Sequence, residues 1–243
     1  MTDNYIVLDT ETTGLNPARD KVLEIGAARI EQGRVVETFE TMIDTGVPIP
    51  ERIAELTGIT DAMQAEGKKT EEAFREFFDF CKDLPILGHN ITFDFSFLKQ
   101  MAVNLGYSFE KDGIDTLKIA RKVLADLPSR RLPDLCVHYG IDPGHSHRAL
   151  DDALATHELL QRLWKEFGEK EPDAFAARPL QYSAKKQSPI TDSQKGYLND
   201  LLKYRRIDTN IRIEDMTKSE ASRMIDKIIL NYGRMPKSGR RTG

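Results

Sequence analysis

A four-residue apolar run, Tyr5-Ile-Val-Leu8, breaks off into Asp9-Thr10-Glu11. The run has the length and content of a buried strand. Side chains alternate along a strand, so Asp9 and Glu11 share one face and Thr10 points to the other. Two carboxylates placed so close repel each other unless a cation lies between them, and oxygen ligands on one face suit Mg²⁺ or Mn²⁺. Thr12-Thr13-Gly14 then turns the chain at the strand end, where α/β sheets tend to place ligands. Alone, an Asp-x-Glu pair is equally well a solvated strand end.

The chain beyond this first strand narrows the fold. Val22–Ile30 and Val35–Ile43 flank Glu31-Gln-Gly33-Arg, a hairpin signal. Helices are then predicted over Glu51–Leu56, closed by Gly58, and from Thr70, with Ala73, Phe74, Phe77, Phe78 and Cys81 on one stripe. Further helices are predicted over Phe93–Leu105, Leu117–Leu124, Leu132–Tyr139 and residues 148–167, the last terminated by Gly168. Pro85–Gly88 and Ile114-Asp115 read as short strand segments between them. Strands first, then helices interleaved with short strands, predict a three-layer α/β domain with a mixed central sheet over residues 1–167.

Beyond it the pattern changes. Pro172, Pro179, Pro189 and Lys185-Lys186-Gln-Ser suggest a linker over 168–189, although Phe175, Leu180 and Tyr182 are apolar enough to pack back on the domain. Residues 190–235 predict a small helical module. Thr191-Asp-Ser-Gln194 and Thr217-Lys-Ser-Glu220 both fit a capping box. The apolar stripes are Tyr197, Leu198, Leu201, Leu202 and Ala221, Met224, Ile225, Ile228, Ile229, Tyr232. Residues 236–243 read as a flexible tail. Met1-Thr-Asp-Asn opens no secretory signal, and no apolar run approaches the roughly 18 residues of a membrane span. Cys81 and Cys136 are single and far apart, as reduced core thiols of a cytoplasmic protein would be.

Two further clusters carry chemistry. Gly88-His89-Asn90-Ile-Thr-Phe93-Asp94 runs from an apolar strand into a helix, placing Asp94 in its first turns. Phe93, Phe97 and Leu98 would anchor that helix, and Asn90 or Thr92 could cap it. The helix dipole alone would favour an acid at Asp94, and His89 reads as a packed strand-end histidine. The other cluster is Pro143-Gly-His145-Ser-His147-Arg-Ala-Leu-Asp151-Asp152-Ala153. Within one helix, His147 and Asp152 would fall on different faces. They converge if His147 lies in the loop before the helix. There a neutral imidazole beside a metal site suits a general base, and equally a surface histidine. Ala149 and Ala153 form a small-residue stripe that permits close approach to a sheet, while Asp151 faces solvent or bonds locally.

The order Asp-x-Glu, then Asp, then His with Asp five positions on resembles the DEDDh, or DnaQ-like, family of 3′–5′ exonucleases. Asp9-Thr-Glu11-Thr-Thr-Gly14-Leu is similar to that family's first motif, Gly88-His-Asn90-Ile-Thr-Phe-Asp94 to its second and His147-Arg-Ala-Leu-Asp-Asp152-Ala-Leu-Ala-Thr to its third. Within the group, residues 4–167 resemble PolC-type and DNA polymerase III epsilon-like exonucleases. His147 stands where a tyrosine would mark the sister group. The resemblance implies a ribonuclease-H-like fold and removal of nucleoside 5′-monophosphates from nucleic-acid 3′ ends, single-stranded or frayed, with DNA favoured. It implies that Asp9, Glu11, Asp94 and Asp152 hold two divalent cations, Mg²⁺ or Mn²⁺, and that His147 takes the proton of the attacking water. Thr12, Thr13, Gly14, Asn90 and Phe93 would touch substrate. A polymerase, or another repair or replication partner, would act in trans.

Net charge fits this division of labour. The chain carries -4 in all, but residues 1–167 hold 19 basic and 29 acidic side chains, against 16 and 10 in residues 168–243. Lys195, Lys203, Arg205, Arg206, Arg212, Lys218, Arg223, Lys227 and Arg234 of the module could hold phosphates. They could equally form the solvated face of a helix pair. Tyr197, Tyr204 and Tyr232 could stack on bases, though two of them lie in the apolar stripes. The competing readings are an exoribonuclease or oligonucleotide-degrading enzyme with the same site, a zinc hydrolase on His145 and His147 with Asp151 or Asp152, and a catalytically silent nucleic-acid-binding module. The zinc reading leaves Asp9, Glu11 and Asp94 without a role.

Overall fold

A computed structural model describes residues 2–144 and 147–235. The chain groups into two compact units. One runs up to Thr45 and over Ile49–Lys185; the other comprises Gly46–Pro48 and the described chain from Lys186 onward.

In the first unit, β1 (Tyr5–Thr12), β2 (Val22–Glu31) and β3 (Arg34–Asp44) form an antiparallel meander, with a two-residue turn at Gln32-Gly33 joining the last two. Helices α1 (Glu51–Thr57) and α2 (Asp61–Ala65) lead to the short β4 (Lys68–Lys69). The chain then alternates: α3 (Thr70–Cys81), β5 (Ile86–Gly88), α4 (Ile91–Leu105), β6 (Asp112–Asp115), α5 (Thr116–Val123), α6 (Leu132–Tyr139), α7 (Ala149–Phe167) and the edge strand β7 (Arg178–Pro179). Among the described residues the sheet order is β4-β3-β2-β1-β5-β6-β7, with β5 parallel to β1. The expected mixed sheet is borne out.

The alternation of β1 builds the layers. Ile6 and Leu8 pack with Phe74, Phe77, Phe95 and Leu98 of α3 and α4. Tyr5 and Val7 pack on the opposite face with Ile119, Leu135, Leu159 and Leu163 of α5, α6 and α7. Each face removes apolar surface from water at roughly 25 cal/mol per Å², so β1 is held from both sides and its acidic end is fixed with it. Cys81 and Cys136 are buried free thiols.

Residues 168–185, read from sequence as part of a linker, pack on the first unit instead. Phe175 is fully buried and meets the Trp164 ring edge-on at 5.1 Å, while Gly113↔Arg178 and Asp112↔Pro179 pair β7 with β6. This packing joins residues distant in sequence, so local prolines outweigh it in a linear reading. Gly168 follows α7 but not as a left-handed cap: its φ and ψ of −59° and −35° stay right-handed. Steric room accounts for the glycine, since a Cβ there would lie 2.6 Å from the Trp164 ring.

The second unit contains α8 (Asp192–Arg205) and α9 (Lys218–Tyr232) around Ile190, Leu198, Leu201, Leu202, Ile213, Met216, Ala221 and Ile228. Both capping boxes form as expected. The Gln194 amide also donates to the Lys218 carbonyl and to Ser222 Oγ, tying the two helix starts together. Tyr232 corrects the sequence reading: it sits at the last position of α9, past the packed stripe, and is 54% exposed. No helix among the described residues is long and apolar enough to cross a membrane. The tail over 236–243 and His145 lie outside the described residues.

Candidate active site

Three segments far apart in sequence deliver acidic side chains to the carboxyl end of β1. By strand alternation, Asp9 and Glu11 face the α7 side of the sheet and Thr10 faces α4. α4 begins directly after β5, the parallel neighbour of β1, so its first turn lies beside that strand end. There Asp94, 3% exposed, accepts hydrogen bonds from the Thr10 amide at 3.0 Å and the Thr10 hydroxyl at 2.8 Å. On the opposite face the turn before α7 supplies His147 and the helix supplies Asp152. They meet as the sequence reading required, with His147 in the preceding turn and its amide donating to Asp152 Oδ2 at 3.0 Å. One ligand atom from each of Glu11, His147 and Asp152 lies within 4.8 Å of the others.

Close approach of α7 depends on Gly26. It pairs with Asp9 across the β1–β2 ladder, and a Cβ there would fall 2.0 Å from the Leu150 amide nitrogen. Ala149 and Ala153, both fully buried, keep the helix side of this contact equally small.

The acids are placed at an electrostatic cost. Burial, then the charges of Asp94, Glu11, Asp152 and Glu24, hold the Asp9 carboxyl well above the usual carboxylate range. Burial and the Asp152, Glu24 and Asp94 charges push Glu11 up to about 8. Asp94 rises to about 7 through burial, against the pull of its Thr10 hydrogen bonds. Burial also raises Asp152, while the His147 amide opposes the shift. Four mutually repelling, desolvated carboxyls at one strand end are what a divalent cation would relieve. Their oxygen-only donor set, with one imidazole at its edge, fits a hard divalent ion.

The other predicted residues surround this cluster in different roles. Thr12 Oγ1 donates to the Gly14 carbonyl at 2.7 Å, and Thr13 Oγ1 accepts from the Lys21 amide at 2.9 Å, so both hydroxyls shape the turn after β1. Phe93 is partly buried against Phe97, with ring centroids 5.0 Å apart. Asn90 corrects an expectation. It has left-handed backbone (φ 72°), and neither its side chain nor that of Thr92 caps α4. Its amide instead donates to Asp115 Oδ1, the same carboxylate oxygen that caps α5 through Leu117 and Lys118. His89 is a packed histidine as expected, bonded to Thr116 Oγ1 and the Arg130 carbonyl, with burial lowering its pKa.

Several residues around the site escaped the sequence reading. Thr10 and Asp115 orient Asp94 and Asn90, and Glu24 with Arg148 pins the start of α7. A single acid inside the apolar run Val22–Ile30 was the signal for Glu24. Leu15, directly after the Thr-Thr-Gly turn in sequence, is 84% exposed.

Comparison with known proteins places this geometry. The model of the RNase_T exonuclease family matches residues 6–160. Relatives include DNA polymerase III PolC-type of Caldanaerobacter subterraneus subsp. tengcongensis, 36% identical over 165 residues, and DNA polymerase III subunit epsilon of Aquifex aeolicus, 36% identical over 169 residues. The matched part covers 68% of this chain in both cases, but only 12% of the PolC-type protein, against 84% of the epsilon subunit. Among solved structures, the zinc-bound form of the E. coli ExoI–ssDNA complex shares the fold at a TM-score of 0.63 and 23% identity, covering 71% of this chain and 42% of that one. A buried acidic strand end in a ribonuclease-H-like mixed sheet, matched in sequence across most of the first unit, means that the chain belongs to the RNase_T family of exonucleases, a family whose chemistry uses divalent metal.

Proposed function

We propose that this chain removes nucleotides one at a time from the 3′ ends of nucleic acid, with single-stranded or frayed DNA favoured, and releases nucleoside 5′-monophosphates. The observation that carries this reading is the convergence of Asp9, Glu11, Asp94 and Asp152 from three separate segments, with His147 within 4.8 Å reach of Glu11 and Asp152. Asp9, Glu11, Asp94 and Asp152 would hold two divalent cations, Mg²⁺ or Mn²⁺. When bound, such ions supply positive charge that offsets the phosphodiester and the developing charge on the leaving oxygen.

The chain's own residues do the rest. His147 accepts a proton from the attacking water; from the turn before α7 it brings a ring nitrogen within 4.8 Å of a carboxylate oxygen of Glu11 and of Asp152. Asp152 fixes that turn through the His147 amide. Thr10 keeps Asp94 aimed at the strand end. Leu15, exposed to solvent, offers an apolar surface for the terminal base, and Thr12, Thr13, Gly14, Asn90 and Phe93 would touch the substrate. Basic side chains of the second unit add a sequence-independent hold on phosphates. The DNA preference is supported by relatives named as DNA polymerases and by a fold neighbour solved with ssDNA. A polymerase or repair partner acting in trans is consistent with the same names.

A panel of DNA and RNA strands, blunt, recessed and single-stranded, each labelled in turn at either end, tests this directly. Stepwise shortening of a 5′-labelled DNA strand, dependent on Mg²⁺ or Mn²⁺, is the expected result. Shortening from the 5′ end, or cleavage of RNA alone, would overturn polarity or substrate respectively. Dependence on zinc alone would favour the hydrolase reading, whose His145 lies outside the described residues.

A further inference from the structure

Glu24 is a fifth carboxylate beside the site. It is 1% exposed and lies in β2 directly across the ladder from Glu11. Both of its oxygens are taken. Arg148 Nε donates to both of them, at 3.1 and 3.3 Å, and Arg148 Nη2 donates to Oε1 at 2.7 Å. The same Nη2 reaches Glu40 of β3 at 2.9 Å. A carboxylate gripped at two points by a guanidinium is a poor candidate for a further metal ligand and a good one for a mechanical anchor.

The anchor holds the start of α7. The first amides of a helix lack intrahelical partners, and Arg148, in the N-cap position, makes no side-chain cap. Glu24 supplies the missing acceptor from the neighbouring strand: the Ala149 amide donates to its Oε2 at 3.2 Å. The residue just before Arg148 is His147, whose backbone is left-handed at φ 66°. A non-glycine residue in that region persists only where its surroundings hold it. Here the Asp152 carboxylate holds the His147 amide, and Glu24 holds the next two residues, Arg148 and Ala149.

We propose that Glu24 and Arg148 are a positioning pair that latches the His147 turn and the first turn of α7 over Asp9 and Glu11, setting turnover without forming part of the cation site. Its kinetic consequence rests on the nuclease reading above; its structural consequence does not.

The test uses the full chain with Glu24→Gln, Arg148→Ala and the milder Arg148→Lys, read three ways. Amide hydrogen exchange over residues 147–153 in Mg²⁺ should quicken by about tenfold or more at Ala149 in Glu24→Gln. On a labelled single-stranded DNA, kcat should fall by about 10- to 100-fold, as for a catalytic group displaced by an ångström, while KM stays within about threefold. Mn²⁺ binding should persist in all three variants, and Arg148→Lys should recover part of the kcat lost in Arg148→Ala. Unchanged exchange at Ala149 in Glu24→Gln overturns the latch. Loss of Mn²⁺ binding in step with kcat overturns it too, by making Glu24 a ligand. Should wild-type protein cleave no strand, the nuclease reading falls while the exchange measurement still decides the latch. If Glu24→Gln fails to fold, Arg148→Lys carries the same three readouts.

Discussion

The two units treat their polar side chains in opposite ways. In the first, Asp9, Glu11, Asp94 and Asp152 are drawn together with their carboxyls raised by burial and by one another. In the second, polar side chains complete the helix ends: Thr191 with Gln194, and Thr217 with Glu220, answer local backbone amides. Local consistency is what folding selects for, and conflict survives where a function requires it. The contrast supports the proposal that the end of β1 holds an external cation, whereas the capping side chains of the helix pair serve its own fold.

The largest way to break this contrast is Asp9→Ala. It removes the acid at the centre of the cluster and should lower metal-dependent cleavage of a 3′ end by about a thousandfold or more. Retained cleavage would move the chemistry elsewhere. His147→Ala should reduce kcat by about 10²- to 10⁴-fold, the usual worth of a general base, while Mn²⁺ binding survives. Full activity would remove His147 from the mechanism.

The raised carboxyls also set a pH dependence. Glu11 moves from its usual 4.5 to about 8 and Asp94 from 3.8 to about 7, so the folded, metal-free chain binds more protons than the unfolded one across that interval. Stability should therefore fall as pH rises from about 4 to 8. Scanning calorimetry in chelator should show a lower Tm at pH 8 than at pH 5.5. Added Mg²⁺ should raise Tm more at the higher pH. A Tm rising between pH 5.5 and 8 without metal would contradict the electrostatics. The smallest effect belongs to the second unit. Lys203→Glu with Arg206→Glu, both exposed, should weaken single-strand binding a few-fold and flatten its salt dependence, with kcat unchanged. No change in the salt slope would leave these cations as a solvated face.

Much of this was legible because it is local. The β1 run, the Glu31–Arg34 hairpin and both capping boxes depend on neighbours a few positions apart, and all appear. The candidate acids were legible for a related reason: Asp9 and Glu11 follow directly on the apolar run of β1, and Asp94 and Asp152 lie in the first turns of α4 and α7. The hidden part depends on register and crossing. Only the pairing of Asp9 with Gly26 and of Glu11 with Glu24 places that glycine under α7 and that glutamate within reach of Arg148. Phe175 against Trp164 likewise joins segments that prolines separate in sequence.

Mn²⁺ titration followed by calorimetry, on wild-type chain and on Asp94→Asn, tests most directly whether four carboxylates from three segments form one cation site. The expected result is two bound ions in the wild type, with at least one lost or weakened by about tenfold or more in the variant. No Mn²⁺ binding in the wild type, or binding unaltered by Asp94→Asn, would contradict it.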